Sequence, residues 1–170
     1  EPDHAPLLDN PYVYAYRVRL SPAQATLWHR HTEDTVYFSL AAGRGHEQQA
    51  DSAIVTEIPC ARAVLRPHRS DPLIHKVTNI GEGRFHLVGA EAHARPPAPD
   101  ASTLQQAGHE IVLETDRFLV ARVRLDRDAR PYAASGLLLA LAEGGVRSGD
   151  AAAPLAAGAV RWIEANECAA

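Results

Sequence analysis

Three histidines stand at spacings that could do chemistry. His29 and His31 flank Arg30, and His75 heads the later run His75-Lys76-Val77-Thr78-Asn79. Residues two apart on a β-strand point to one face of the sheet. His29 and His31 would therefore present their imidazoles together, and His75 on a neighbouring strand would complete a set of three. Such a set binds a divalent transition metal and leaves positions open for water, substrate or dioxygen. Tyr37 shares its parity with Thr35, which aims it into the same cavity, where it could orient a substrate or move a proton; packing is the alternative role for a tyrosine there. The alternative for the histidines is three polar residues on an exposed sheet face.

Strands are needed to position these groups, and the sequence supplies them. Residues 11–20 alternate and are rich in aromatic and β-branched types, which predicts a strand. Further strands are expected at 25–31, 35–40, 53–58, 62–66, 73–79 and 84–91. Gly43 and Gly45 mark a turn, and Gly81-Glu82-Gly83 is expected to close a hairpin. Eight or so short strands at this spacing predict an all-β, antiparallel sandwich or barrel. Arg95-Pro96-Pro97-Ala98-Pro99-Asp100 cannot continue a sheet, because proline lacks the backbone donor. Residues 92–108 are therefore read as a linker between a first unit, 1–91, and a second, 109–170. Strands resume at 110–114, 117–125, 137–141 and 159–164. Residues 102–107 could hold one helical turn, and 151–159 is broken by Pro154 and Gly158.

Size and charge exclude several functions. The chain has 170 residues, a formal charge of -4 and a pI near 6.1. That length is enough for one large domain or two small ones. Its arginines are scattered, so the footprint of a nucleic-acid binder is missing. The longest apolar run, Gly136 to Ala142, is too short for a membrane span. Cys60 and Cys168 are too few for a disulfide framework; they could form one bridge, and two unpaired thiols is the simpler reading. The sequence holds no methionine, which fits a removed targeting peptide or a trimmed start and leaves the compartment open.

The second half repeats the first. Tyr16-Arg17-Val18-Arg19-Leu20 recurs as Ala121-Arg122-Val123-Arg124-Leu125. Phe38-Ser39-Leu40-Ala41-Ala42-Gly43 recurs as Leu139-Ala140-Leu141-Ala142-Glu143-Gly144, and Ala63-Val64 aligns with Ala159-Val160. Three matches in order point to an internal duplication. Arg130-Pro131-Tyr132-Ala133-Ala134-Ser135 stands where His29 and His31 would recur. The equivalent of His75–Asn79 is expected to begin just beyond Ala170. The second unit is thus expected to be metal-less and short of its last strands.

These motifs resemble those of the cupin superfamily, and the two units resemble a bicupin with a degenerate second half. The first cupin motif reads G-x5-H-x-H-x(3,4)-E-x6-G. Ala23 stands at its first glycine, His29 and His31 match, and Gly43 closes it within one residue. The carboxylate position falls on Thr35 or Val36, with Glu33 and Asp34 beside it as substitutes. The second motif reads P-x-G-x2-H-x3-N; Ser70-Asp71-Pro72 replaces its start, while His75 and Asn79 match. The resemblance implies a double-stranded β-helix, the jelly-roll barrel, with one metal inside held by His29, His31 and His75. Iron(II) is the favoured metal, with zinc, manganese, nickel and copper as others the fold accepts. Three-histidine members without the glutamate include dioxygenases, so iron(II) and dioxygen acting on a small molecule lead the functional expectations.

The neighbours of the motif are given plainer roles. Asn79 is expected to form a turn, Trp28 to pack outside the pocket, and His46 to sit on a solvated strand end. His68 is placed in a loop with a chance of lining the mouth, and His86 in the interior. Arg66 or Arg69 could clamp a substrate carboxylate, although a surface charge is the simpler role. His4, His93 and His109 receive no role. Two non-catalytic alternatives stand beside the enzyme. One is a scaffold or accessory subunit of a larger assembly, with an open edge covered by a partner strand. The other is a module that stores a small ligand or metal. A homodimer is the assembly the resemblance implies.

Overall fold

The computed structural model describes residues 1–41, 43–58, 63–94, 109–123, 135–148, 151–163 and 168–169. The chain divides into two units, Glu1–His93 and Ala94–Ala170. The Pro-rich segment, the helical turn expected at 102–107 and Cys60 lie outside the described residues.

The first unit holds nine strands: β1 (His4–Asp9), β2 (Val13–Leu20), β3 (His29–His31), β4 (Thr35–Ser39), β5 (Gly45–Gln49), β6 (Val55–Ile58), β7 (Val64–Arg66), β8 (Leu73–Asn79) and β9 (Phe85–Ala92). They form a five-stranded sheet, ordered β1-β2-β9-β4-β7, and a four-stranded sheet, ordered β3-β8-β5-β6. All pairings are antiparallel and nested about one hairpin. β5 pairs with β6, β4 with β7, β3 with β8, and β2 with β9. From β2 onward the chain passes from one sheet to the other at every connection except that hairpin. A long hairpin wound between two sheets in this way is a double-stranded β-helix. Gly81-Glu82-Gly83 therefore does not close a hairpin as expected, because β8 and β9 lie in different sheets.

Side chains from both sheets fill the core. Tyr16, Val18 and Leu20 of β2 and Phe85 of β9 pack with Val77 of β8, and Tyr37, Ile58 and Leu87 close around them. Alternation in β2 and β8 sends these residues inward. Arg19 and Ile74 take the outer parity; His86, expected inside, also faces out and accepts a hydrogen bond from Arg19 Nε at 3.3 Å.

Two backbone positions are under constraint. Gly89 is the sheet partner of both Tyr16 and Tyr37, and a Cβ built on it would lie 2.5 Å from Tyr16 Cζ. The missing side chain lets the two rings lean together over β9, with hydroxyls 3.4 Å apart. Ala23 has a φ of 64°. It follows Pro22 in a turn closed by Gln24 N–H donating to Ser21 O at 3.0 Å. Proline and then a left-handed residue is the pattern of a type II turn, which favours glycine at the second place. The cupin motif has glycine there, and alanine holds the conformation at a steric cost of about 1–2 kcal/mol.

In the second unit, β10 (His109–Glu114) pairs with β11 (Leu119–Val123), and β12 (Gly136–Leu139) pairs with β15 (Val160–Ile163). β13 (Gly144–Ser148) lies between β14 (Ala151–Leu155) and β16 (Cys168–Ala169). β16 sits against β13 as β8 sits against β5.

Two substitutions test these constraints. Gly89→Ala should destabilise the fold by about 1–3 kcal/mol, since Tyr16 is fully buried and cannot swing clear. Ala23→Gly should raise the thermal midpoint, by up to about 1 kcal/mol of stability, because relieved strain exceeds the added chain entropy. Melting curves of the two variants should move in opposite directions from wild type.

Candidate metal centre

The β3–β8 register sets the site. His29 lies directly opposite His75, and Arg30 opposite Ile74. Arg30 and Ile74 point outward, which turns His29, His31 and His75 inward. The His29 and His75 rings are 4.5 Å apart between centroids, His29 and His31 4.9 Å, and His31 and His75 5.1 Å. The structure thus brings the three predicted rings to one place.

Each ring is held through Nδ1. His29 Nδ1 donates to Leu27 O at 2.8 Å. His31 Nδ1 meets Glu91 Oε1 at 3.3 Å, and His75 Nδ1 meets Glu47 Oε2 at 3.1 Å. Glu47 is on β5, opposite Val77, and reaches diagonally along β8 to His75. The hydrogen bond from His75 pulls the Glu47 carboxyl below its ordinary range. A backbone carbonyl or carboxylate on one ring nitrogen fixes the tautomer and aims the other nitrogen inward, which is the arrangement found behind metal-binding histidines. His75 Nε2 and His29 Nε2 are 3.0 Å apart. With both protons at Nδ1, two lone pairs face each other there, and they repel unless a proton or a cation lies between them. The spacing suits two ligands of one ion with bonds of about 2.1 Å.

Two further histidines join the group. His4, on β1 opposite Val18, stacks on Tyr16 at 4.3 Å and 11° and meets His29 edge-on at 4.6 Å. One ligand atom each of His4, His29 and His31 lie within 4.8 Å of one another, so this trio could hold a metal ion. His68, in the loop after β7, is buried and stacks on His31 at 5.1 Å. Burial is the main cause that lowers His29 and His68 to about 4 and His4 to about 2. These rings are neutral near pH 7, as a ligand must be. Imidazoles suit iron, zinc, copper or nickel, so the donor set fits the metal the fold implies.

The expected carboxylate ligand is missing. Thr35 is buried and its hydroxyl donates to Glu33 O at 2.8 Å. Glu33 pairs with Arg69 Nε at 3.0 Å, and Asp34 Oδ1 accepts from Arg69 N–H. Neither substitute turns toward the histidines, and Arg69 is held outside. Asn79 is buried and ties the loop after β8, donating to Leu20 O and Gly83 O and accepting from Gly81 N–H. Trp28 is exposed, with the Lys76 ammonium over its ring.

A cavity of about 60 Å³ adjoins the histidines, walled by Val18, Ile58, Val64, Leu73 and Phe85, with Arg66 and Tyr37 on its lining. Tyr37 Oη is 3.4 Å from His68 Nε2 and 3.4 Å from Tyr16 Oη. Burial raises both phenols above their ordinary values, so they stay protonated.

His4, Glu47 and Glu91 were not assigned to the site from sequence. A signal for β1 existed. β10 pairs with β11 through His109↔Val123 and Ile111↔Ala121, with an irregularity before Leu113; β1 pairs with β2 through His4↔Val18 and Pro6↔Tyr16, with one before Leu8. Extending the internal repeat backward from the expected strand at 110–114 would have placed a strand at β1 and His4 in the position of His109.

No family model matches the sequence, and no curated protein matches it. Solved structures do. A cupin domain from Bordetella pertussis Tohama I is 24% identical, covers 54% of this chain and 92% of its own, and has a TM-score of 0.47. An uncharacterised protein with a double-stranded β-helix domain from Klebsiella pneumoniae is 19% identical over 52% of this chain and 70% of its own, TM-score 0.43. The polyketide cyclase RemF from Streptomyces resistomycificus is 18% identical over 55% of this chain and 66% of its own, TM-score 0.43. The nested strand pairing of the first unit decides the architecture. The first unit carries the cupin fold. Among the described residues, no helix is long and apolar enough to cross a membrane.

The buried neutral rings make the metal-stripped protein acid-sensitive. The unfolded chain protonates its histidines near 6.5, while His29 and His68 refuse protons in the folded state until about pH 4. Their contribution is therefore complete above pH 6.5 and is lost as pH falls toward 4. Melts of stripped protein should show a falling midpoint from pH 7 to 4; a flat profile would mean that solvent reaches the rings.

Proposed function

We propose that the amino-terminal barrel binds one divalent transition metal through His29, His31 and His75 and uses it on a small molecule, with iron(II) and dioxygen as the leading chemistry. The observation that supports this most is the paired Nε2 atoms of His29 and His75 at 3.0 Å, each ring anchored at Nδ1 by an acceptor. A three-nitrogen neutral set leaves the ion's positive charge available to polarise a chelating substrate and to lower the pKa of bound water.

The chain's own residues would do the rest. The apolar walls exclude water and accept a small apolar body. Arg66, 3.8 Å from Glu47, offers a cation to a substrate oxygen. Tyr37 keeps its proton and presents an O–H donor from the cavity wall, and Tyr16 and His68 hold that hydroxyl in place. In this reading Tyr37 orients the substrate. The second unit is a degenerate copy of the first; the matching registers of β10–β11 and β1–β2 support this, and so does its nested β12–β15 and β13–β14 pairing.

Elemental analysis of purified protein should find one transition metal per chain, with His75→Ala and His29→Ala losing it. Oxygen uptake with candidate thiols and diketones should appear with iron(II). Tyr37→Phe should keep the metal and slow turnover by about tenfold, the loss of one positioning hydrogen bond of about 1.4 kcal/mol. Protein that is metal-free and cannot be loaded, yet co-purifies stoichiometrically with other chains, would replace this reading with a scaffold.

A further inference from the structure

The seam between the two sheets of the barrel runs between β1 and β3. β1 is the edge of the five-stranded sheet and is paired only to β2; β3 is the edge of the four-stranded sheet and is paired only to β8. Polar side chains meet across this seam. Gln24 Nε2 donates to Asp3 Oδ1 at 3.0 Å, and Glu1 Oε2 is 3.6 Å from His29 Nδ1. His4 is the ring that β1 contributes there. It is half-buried, its plane is set by the stack on Tyr16, and it lies 5.5 Å from His31 as well as beside His29. The irregularity between Pro6 and Leu8 shifts the β1 register once, so the parity that turns His4 inward belongs to the first half of the strand alone.

We infer that His4 is a fourth ligand of the metal and that the ion staples the edge strand β1 to β3, closing the barrel along its open seam. The inference rests on the metal reading above. Three observations carry it. Donor atoms of His4, His29 and His31 are mutually within 4.8 Å. The position from which a carboxylate would come is held by Thr35, whose hydroxyl is committed to Glu33 O. Glu33 and Asp34 are drawn off by Arg69. A neutral nitrogen from another strand thus stands in for an anionic oxygen, and the donor set becomes four imidazoles on three strands. An edge strand with one neighbour frays readily, so a bond from its first residue to the opposite sheet would have a local signature.

The test uses cobalt(II) as the probe ion, with its ligand-field spectrum, its affinity by titration, and hydrogen exchange of β1 amides as readouts. Wild type should bind one cobalt, and β1 exchange should slow on loading. His4→Phe keeps the stack on Tyr16 and removes the donor. It should weaken cobalt binding by at least about tenfold, since even outer partners of ligands cost about 10- to 100-fold. It should also shift the spectrum and abolish the slowing in β1. His4→Gln, melted without metal beside wild type, shows whether the barrel tolerates the change; if His4→Phe fails to fold, the same readouts are taken on His4→Gln. An affinity within threefold of wild type, with unchanged spectrum and β1 protection, would overturn the inference and leave the three-histidine site standing. No cobalt binding by wild type would remove the metal reading itself.

Discussion

His29 stands directly across from His75 in the β3–β8 pair, and the candidate site depends on that register. Side chains on a strand change faces at every residue, so a slip of one would send the histidines out and carry Arg30 and Ile74 in. The opposite placement is resisted on both sides of the sheet. Burying Arg30 without a partner would be costly, and Val77 would leave the core it shares with Phe85. Asn79 locks the same strand at its far end through three hydrogen bonds to the loop and to β2. The chemistry of the centre is thus fixed by packing and backbone pairing several residues away from it.

The parts of this arrangement that were legible in the sequence were those with a period. β8 alternates from His75 to Asn79 and β2 from Tyr16 to Leu20, and the parity of His29, His31 and Tyr37 follows from position alone. Thr35, Glu33 and Asp34 stand in the sequence as a departure from the family motif, but the way Glu33 and Asp34 turn depends on Arg69, in the loop after β7. β5 is not among the strands expected from sequence, because Gly45-His46-Glu47-Gln48-Gln49 is polar and only a solvated strand end at His46 is legible there. It is a strand because it lies between β6 and β8, which satisfy its backbone on both sides. With β5 went Glu47, the acceptor behind His75. β1 was missed because Pro6 and a mixed burial pattern hide it; an edge strand tolerates proline, since one side of its backbone needs no partner.

The second unit pairs its described strands in a pattern like that of the first. Its pairings nest about β13 and β14 as those of the first unit nest about β5 and β6, and β10 lies on β11 with the irregularity at the same place. Backbone pairing of this sort needs small and apolar residues at fixed intervals and no histidine. Arg122-Val123 and the Leu137–Leu139 run lie on such strands, where strand chemistry is enough. Metal-binding chemistry depends on single side chains and leaves no such residue.

Two carboxylates sit one imidazole away from the centre: Glu47 behind His75 and Glu91 behind His31. A carboxylate in direct contact with an ion would cancel one unit of its charge. A carboxylate on the far nitrogen of a histidine does something different. It holds the ring in place and makes the near nitrogen a stronger donor, while the charge lies farther from the ion. Glu47 is itself restrained by Arg66 at 3.8 Å, so its hold on His75 is shared with a cation on the cavity wall. His29 has a backbone carbonyl in the same role, a dipole in place of a charge. The three rings are thus anchored by unequal acceptors, and the imidazoles backed by Glu47 and Glu91 are the stronger donors. The centre can keep a high positive charge toward the cavity while the protein supplies its anions from behind the ligands. On the proposed reading, a bound ion would favour a substrate that brings its own negative oxygen into the cavity, whose lining includes Arg66 and Tyr37.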